Sequence, residues 1–190
     1  MQKVLFFLSE LNQDDMDWLI QVGERRDISS GTVLIWEDKP VDTLYIMLEG
    51  TVVVSIAALG NKELARLHSG DIVGEMSFVE ARSPSATVKT FERSIVLAIP
   101  RAALSDKLEQ NVGFAARFYR ALAILLSSRL RGTVKQLGYS GPRNTNGAAH
   151  QNPVPSNLAL AERRFDYLLR SLKINAVPLE SRRQDAAPIK

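Results

Sequence analysis

The spacing of apolar and polar positions changes three times along the chain. Over 11–23, Leu11, Met16, Leu19, Ile20 and Val22 sit among Asp14, Asp15 and Asp17. This predicts a short amphipathic helix with Asn12 near its cap, acids in its first turn and a glycine at its end. From about residue 27 to 100 the texture becomes that of strands. Runs rich in β-branched and aromatic residues at 32–36, 44–48, 51–56, 64–67, 86–91 and 95–99 are punctuated by Gly31, Asp38-Lys39-Pro40, Gly50, Gly60-Asn61, Gly70 and Pro84. Many short strands broken by turn residues predict an antiparallel roll, barrel or sandwich.

Beyond residue 100 the period turns helical. A short helix is expected over 101–110, followed by a long one from Val112. There Ala115, Phe118, Leu122, Leu125, Leu126, Leu130, Val134 and Leu137 recur at spacings of three and four. Its apolar faces are broad, so it needs cover from its own barrel, from a twin helix in a second copy, or from both; a homodimer is the expectation. Residues 138–157 are rich in Gly, Ser, Pro, Asn and Ala and read as a flexible linker. After Pro155 and the cap residue Asn157, Leu158, Ala161, Phe165, Leu168, Leu169 and Leu172 mark a one-sided helix over 158–175; 176–190 reads as a disordered tail. A lone amphipathic helix cannot bury its own face. It docks onto its own barrel, a second subunit, another protein or a membrane surface.

Composition narrows the chemistry. With 190 residues, 45% of them hydrophobic, the chain has the size of one domain with an appendage. Cysteine is absent, which excludes disulfides, zinc-thiolate sites and thiol catalysis. The two histidines, His68 and His150, lie far apart, so no metal centre is expected. No apolar run reaches the roughly 18 residues of a membrane span, and the cytoplasm is the expected location. The net charge of +3 is uneven: residues 1–128 carry 17 acids against 13 bases, residues 129–190 carry 11 bases against 4 acids. Such a basic segment is either a solvated tail or a weak attractor of nucleic acid, anionic lipid or an acidic partner.

Candidate chemistry concentrates between Ser69 and Val88. A strand is expected to end at Gly74, a single helical turn to span 76–81, and a small-residue segment to return to a strand at Ala86. That arrangement makes an anion cradle. Gly74 lets backbone approach a ligand, while Ser85 and Ala86 offer a hydroxyl and peptide N–H groups to phosphate oxygens. Glu75 is placed to accept hydrogen bonds from a sugar hydroxyl. Enzymatic activity has no support: Ser77 lies in no nucleophile elbow, neither histidine has a catalytic setting, and a helical turn explains Glu75 and Glu80 as paired acids.

The stretch from Ser69 to Val88 resembles the phosphate-binding cassette of the cyclic-nucleotide-binding domain, the family of catabolite activator protein, cyclic-nucleotide-dependent kinases and cyclic-nucleotide-gated channels. Gly31-Thr32-Val33-Leu34, Leu44 through Val52 and Leu67 through Glu75 stand where that family has its strand and turn signature. The likeness runs over about 5–137. It implies a mainly β fold with flanking helices: a jelly-roll β-roll followed by a long C-terminal helix. The resemblance also implies a ligand, cAMP or cGMP, with Gly74, Glu75, Met76, Ser77, Ser85, Ala86 and Thr87 as candidate holders and Arg82, outside the family pattern, as a candidate substitute for its arginine. Glu75 would bind the ribose 2′-hydroxyl, and Ser85 and Ala86 would border the cyclic phosphate. From the long helix, Thr133 would reach the base. Two positions depart from the family: Pro84 stands where an arginine pairs with the phosphate, leaving Arg82 as the nearest guanidinium, and Val134 replaces a serine.

The family's transcription factors follow the long helix with a helix-turn-helix, which needs two helices joined by a tight turn. Residues 138–190 predict one helix on a linker, so sequence-specific DNA binding is not expected and a stand-alone member is. The leading expectation is a regulatory module that senses a cyclic nucleotide and passes the signal through its long helix to a partner or dimer contact. The alternatives are a ligand-free dimeric docking protein, with helix 158–175 as its contact to a protein partner, and a transcription regulator without the usual reading head.

Overall fold

The computed structural model describes residues 5–136 and 158–172. The linker expected at 138–157, the tail at 176–190 and the last residues of the helix expected over 158–175 lie outside the described residues. Two helices open the chain, α1 (Leu5–Glu10) and α2 (Gln13–Val22). Eight strands follow: β1 (Glu24–Ile28), β2 (Val33–Ile35), β3 (Thr43–Glu49), β4 (Thr51–Ile56), β5 (Lys62–His68), β6 (Ile72–Val73), β7 (Thr87–Thr90) and β8 (Ser94–Pro100). A short helix, α3 (Glu75–Glu80), interrupts them between β6 and β7. The chain then turns to α4 (Arg101–Gln110), α5 (Val112–Gln136) and α6 (Leu158–Ser171).

The strands form two antiparallel four-stranded sheets, in the orders β1-β8-β3-β6 and β2-β7-β4-β5. This is a jelly-roll β-roll, as the turn-rich pattern and the resemblance led us to expect. Side chains alternate between the two faces of a strand, and here both faces of β3 and β8 are covered. Leu44, Ile46 and Leu48 of β3, with Ile95, Leu97 and Ile99 of β8, face the helices. Tyr45 and Met47, with Val96 and Ala98, face the interior of the roll, where they meet Ile35, Val52, Val73 and Val88. That double burial is why these two strands read as unbroken apolar runs rather than alternating ones.

β1 was not visible in the pattern. Its sequence, Glu-Arg-Arg-Asp-Ile, is exposed over its first four residues and carries no apolar alternation. Register against β8, from Glu24↔Ala98 to Ile28↔Ser94, makes it a strand through backbone pairing, with Asp27 held by Arg93 and Ile28 packed on the roll's interior. Gly23, just before it, must be small: a Cβ there would lie 2.6 Å from Leu97 Cδ1.

The helices pack as a second layer on the β1-β8-β3-β6 sheet. Asn12 caps α2 with a complete capping box: its side chain accepts from the Asp15 amide at 2.9 Å, and the Asp15 carboxylate accepts from the Asn12 amide at 2.8 Å. The same carboxylate accepts two bonds from Arg117 of α5, at 2.6 and 2.8 Å. Burial would raise the pKa of Asp15, but the Arg117 and Asn12 hydrogen bonds outweigh it and hold the carboxyl below its usual value. Phe114, Phe118, Leu122 and Leu125 fix α5 in the helical cluster, with Phe118 edge-on to Phe7 of α1 at 5.4 Å. α6 lies against α1 and α2 of its own chain, burying Ala161, Phe165, Leu168 and Leu169. Arg164 donates to the Leu8 and Ser9 carbonyls, both at 2.8 Å, near the C-terminal end of α1, and the Tyr167 hydroxyl donates to Asp17 at 2.6 Å. Among the described residues no helix is long and apolar enough to cross a membrane.

Candidate ligand cradle

β6 is only two residues long because Gly74 turns the chain out of the sheet. Its φ of +92° lies in the left-handed region, and a Cβ there would approach the Thr43 carbonyl oxygen at 3.1 Å. α3 starts at once, with the Gly74 carbonyl accepting from the Phe78 amide and the Ser77 hydroxyl, both at 3.1 Å. At its far end Arg101 of α4 donates to the Ser77 carbonyl at 2.9 Å and the Phe78 carbonyl at 3.2 Å, its guanidinium 5.2 Å from the Phe78 ring centre. A cation on the terminal carbonyls of a helix is favourable. The helix closes on Ala81 with φ of +52°, a left-handed conformation that a non-glycine residue adopts at a cost.

Glu75, the first residue of α3, is 3% exposed. Its carboxylate faces α5, where Arg129 donates to it through Nη1. Arg129 Nη2 donates to the Ile72 carbonyl at 2.6 Å and stands 3.8 Å from the Asp71 carboxylate. One guanidinium thus fastens the C-terminal half of α5 to both sides of the turn at Gly74. Burial pushes the Glu75 carboxyl above its usual range, against the opposing pull of Arg129, and Asp71 adds to the rise. The Arg129 Nε–H is buried and has no hydrogen-bond partner among the described residues. Buried donors are normally satisfied, and leaving one unpaired costs about 1–3 kcal/mol.

The other expected site residues are not gathered so tightly. Ser77 is buried and bonded within α3, whereas Met76 is 49% exposed. Pro84 is buried, its carbonyl accepting from the Asp38 amide at 2.9 Å. Ser85 is exposed and Ala86 half-buried. Arg82 lies in a separate groove of about 550 Å³ beside Asp42, Arg101 and Ser105. The Thr87 hydroxyl accepts from the Glu37 amide at 3.2 Å, and Thr87 lines a groove on the outside of the β2-β7-β4-β5 sheet. The Thr133 hydroxyl donates to the Arg129 carbonyl one turn back, at 3.1 Å.

Neither Arg129 nor Arg101 was singled out from the sequence. For Arg129 a signal existed. Phe118, Leu122 and Leu125 define the buried stripe of α5, and position 129 continues it at the same spacing. A charged residue on a buried stripe needs a partner, and the buried acid of the cradle is that partner.

Residues 25–111 match the cyclic nucleotide-binding domain family. An uncharacterized NTE family protein of Mycobacterium tuberculosis is 26% identical over 138 residues, 73% of this chain and 21% of the relative. The chain spans about a fifth of the length of the curated relatives it matches first. Among solved structures, the catabolite activator protein of Thermus thermophilus is 26% identical with a TM-score of 0.56, over 67% of this chain and 59% of that one. A cyclic nucleotide-binding domain from Methylobacillus flagellatus is 22% identical with a TM-score of 0.64, over 71% and 80% respectively.

Proposed function

From the match of residues 25–111 to the cyclic nucleotide-binding domain family, we propose that this chain is a member of that family and a cytoplasmic regulatory module, without catalytic chemistry of its own, that takes a cyclic nucleotide such as cAMP or cGMP between α3 and α5. The observation that carries this reading is the pairing of the buried Glu75 carboxylate with Arg129, whose buried Nε–H is unsatisfied. A carboxylate that accepts and a guanidinium that donates are the two groups a sugar hydroxyl and a cyclic phosphate require. In the free chain these groups satisfy one another. A ligand entering between them would take the carboxylate with its hydroxyl and the guanidinium with its phosphate. Because Arg129 sits on α5, the exchange would loosen the link between the cradle and that helix, and occupancy would be converted into helix position.

The receiver of that motion is proposed to be a second copy of the chain. Tyr119, Leu130 and Val134 of α5 are 48, 66 and 39% exposed and share one face at helical spacing. A paired helix would cover such a stripe.

A second reading is favoured by one observation. Pro84 occupies the position of the family's phosphate-binding arginine, and Arg82 lies in a different groove. On that reading the cradle has lost its ligand, Glu75–Arg129 is a permanent clasp, and the chain is a dimeric docking protein. Thermal unfolding in rising concentrations of cAMP and of cGMP separates the two. A midpoint that climbs with ligand, and stops climbing in Glu75→Ala, supports the sensor; an unmoved midpoint at millimolar ligand supports the scaffold.

A further inference from the structure

The outer face of the β2-β7-β4-β5 sheet carries a groove of about 690 Å³ that the cradle does not use. On β7, Val88 and Thr90 point inward and are buried, so Thr87 and Lys89 point outward, and Phe91 continues that row. Lys89 lies in register with Val33 of β2 on one side and Val53 of β4 on the other. Trp36 borders the groove toward the Thr87 end and Phe91 toward the opposite end, 54 and 55% exposed. From 87 to 91 an extended strand spans about 13 Å. Each ring already has a cation over it: Lys39 Nζ lies 5.2 Å from the Trp36 ring centre, and Arg66 4.3 Å from that of Phe91. The groove's own acid, Glu63, is held by Arg66 at 2.7 Å. Lys89, between the two rings, forms no ion pair among the described residues.

Two exposed aromatic platforms with a free ammonium between them and one further cation at each ring suit a ligand with flat rings joined by anions. A single ring could satisfy only one platform, so the spacing asks for at least two. We infer that this outer groove binds single-stranded nucleic acid, with bases stacked on Trp36 and Phe91, the intervening phosphodiester on Lys89 and the flanking ones beside Lys39 and Arg66. Stacking is indifferent to base identity and the contacts to phosphate are electrostatic, so binding is sequence-tolerant and weakens as salt rises. The face is opposite to the one on which Val88 meets Val73, so the oligomer and a ligand of the cradle do not compete for one surface.

The test uses the full chain and a fluorescein-labelled ten-nucleotide oligothymidylate, read by anisotropy. Trp18→Phe, which leaves Trp36 as the sole indole, supplies a second reading through quenching of tryptophan emission. Expected are saturable binding that falls with added salt, quenching of Trp36, a loss of about tenfold in affinity in Lys89→Ala and again in Phe91→Ala, and no change in Tyr167→Phe. The wild-type anisotropy stands even if Trp18→Phe does not fold. Absence of binding at low salt, or full retention in both groove variants, overturns the proposal. So does thymidine monophosphate competing as well as the oligomer, which makes a free nucleotide the ligand, or a glutamate-rich peptide binding as tightly, which makes the groove a peptide site.

Discussion

Glu75 and Arg129 stand 54 residues apart in sequence and meet as an ion pair in which the carboxylate is buried and the guanidinium half-buried. Everything between them, from α3 to the middle of α5, is a loop closed by that contact. Arg129 also holds the Ile72 carbonyl, so the pair is the fastening between the roll's ligand cradle and the long helix.

Breaking one side of this pair leaves the other charge buried. Arg129→Met is expected to destabilise the fold by about 3 kcal/mol, because it strands the Glu75 carboxylate. Adding Glu75→Gln in the same chain should recover much of that loss, since a neutral amide needs no counter-charge. Urea unfolding of the two single variants and the double variant gives the coupling; equal losses that simply add would show the pair to be incidental.

Two carboxyls bend stability with pH in opposite senses. Asp15 is held below its usual value of 3.8. The unfolded chain therefore binds that proton more readily, and the stabilisation is present above the usual value and lost as pH falls through the lowered one. Glu75 is raised above its usual 4.5, so the folded chain binds that proton more readily. Its contribution is present below the usual value and lost as pH rises through the raised one. Urea midpoints from about pH 2 to pH 8 are expected to lose their acid limb in Asp15→Asn and to flatten above about pH 4.5 in Glu75→Gln.

α6 is integral to the helical layer on this account. Phe165 is 2% exposed, and Phe165→Ala is expected to cost about 3 kcal/mol, seen in a single cooperative transition. Tyr167→Phe, which loses only an exposed bond to Asp17, should leave the midpoint nearly unchanged. A Phe165→Ala chain as stable as the wild type would mean that α6 contributes nothing to the fold.

Position 84 is expected to set affinity. A guanidinium on a phosphate is worth roughly 2–5 kcal/mol where burial is complete, so Pro84→Arg should tighten cyclic nucleotide binding by at least about tenfold. Competition between labelled and unlabelled ligand measures it. Unchanged affinity would mean that the 84–86 segment does not border the phosphate.

The residues explain what could be read in advance. β3 and β8 were legible because both their faces are buried, and α2 because Asn12 and Asp15 write its start in sequence. β1 was not, since a charged edge strand owes its structure to β8 rather than to its own pattern. In the cradle, Gly74 and Glu75 were legible as a local motif, but Arg129 was not, because its meaning depends on where α5 crosses the roll. Arg82, close to Pro84 in the chain, read either as a substitute guanidinium for the phosphate or as a solvent-facing turn arginine. The left-handed turn at Ala81 comes immediately before it, and Arg82 is exposed and lines the groove beside Asp42 and Arg101.

If Glu75 and Arg129 open to admit a cyclic nucleotide, isothermal titration of the purified chain with cAMP and with cGMP reports it. Saturable heat is expected with one of them, at one site per chain, and is lost in Glu75→Ala. No heat with either ligand at millimolar concentration, from a chain that unfolds cooperatively, would contradict it.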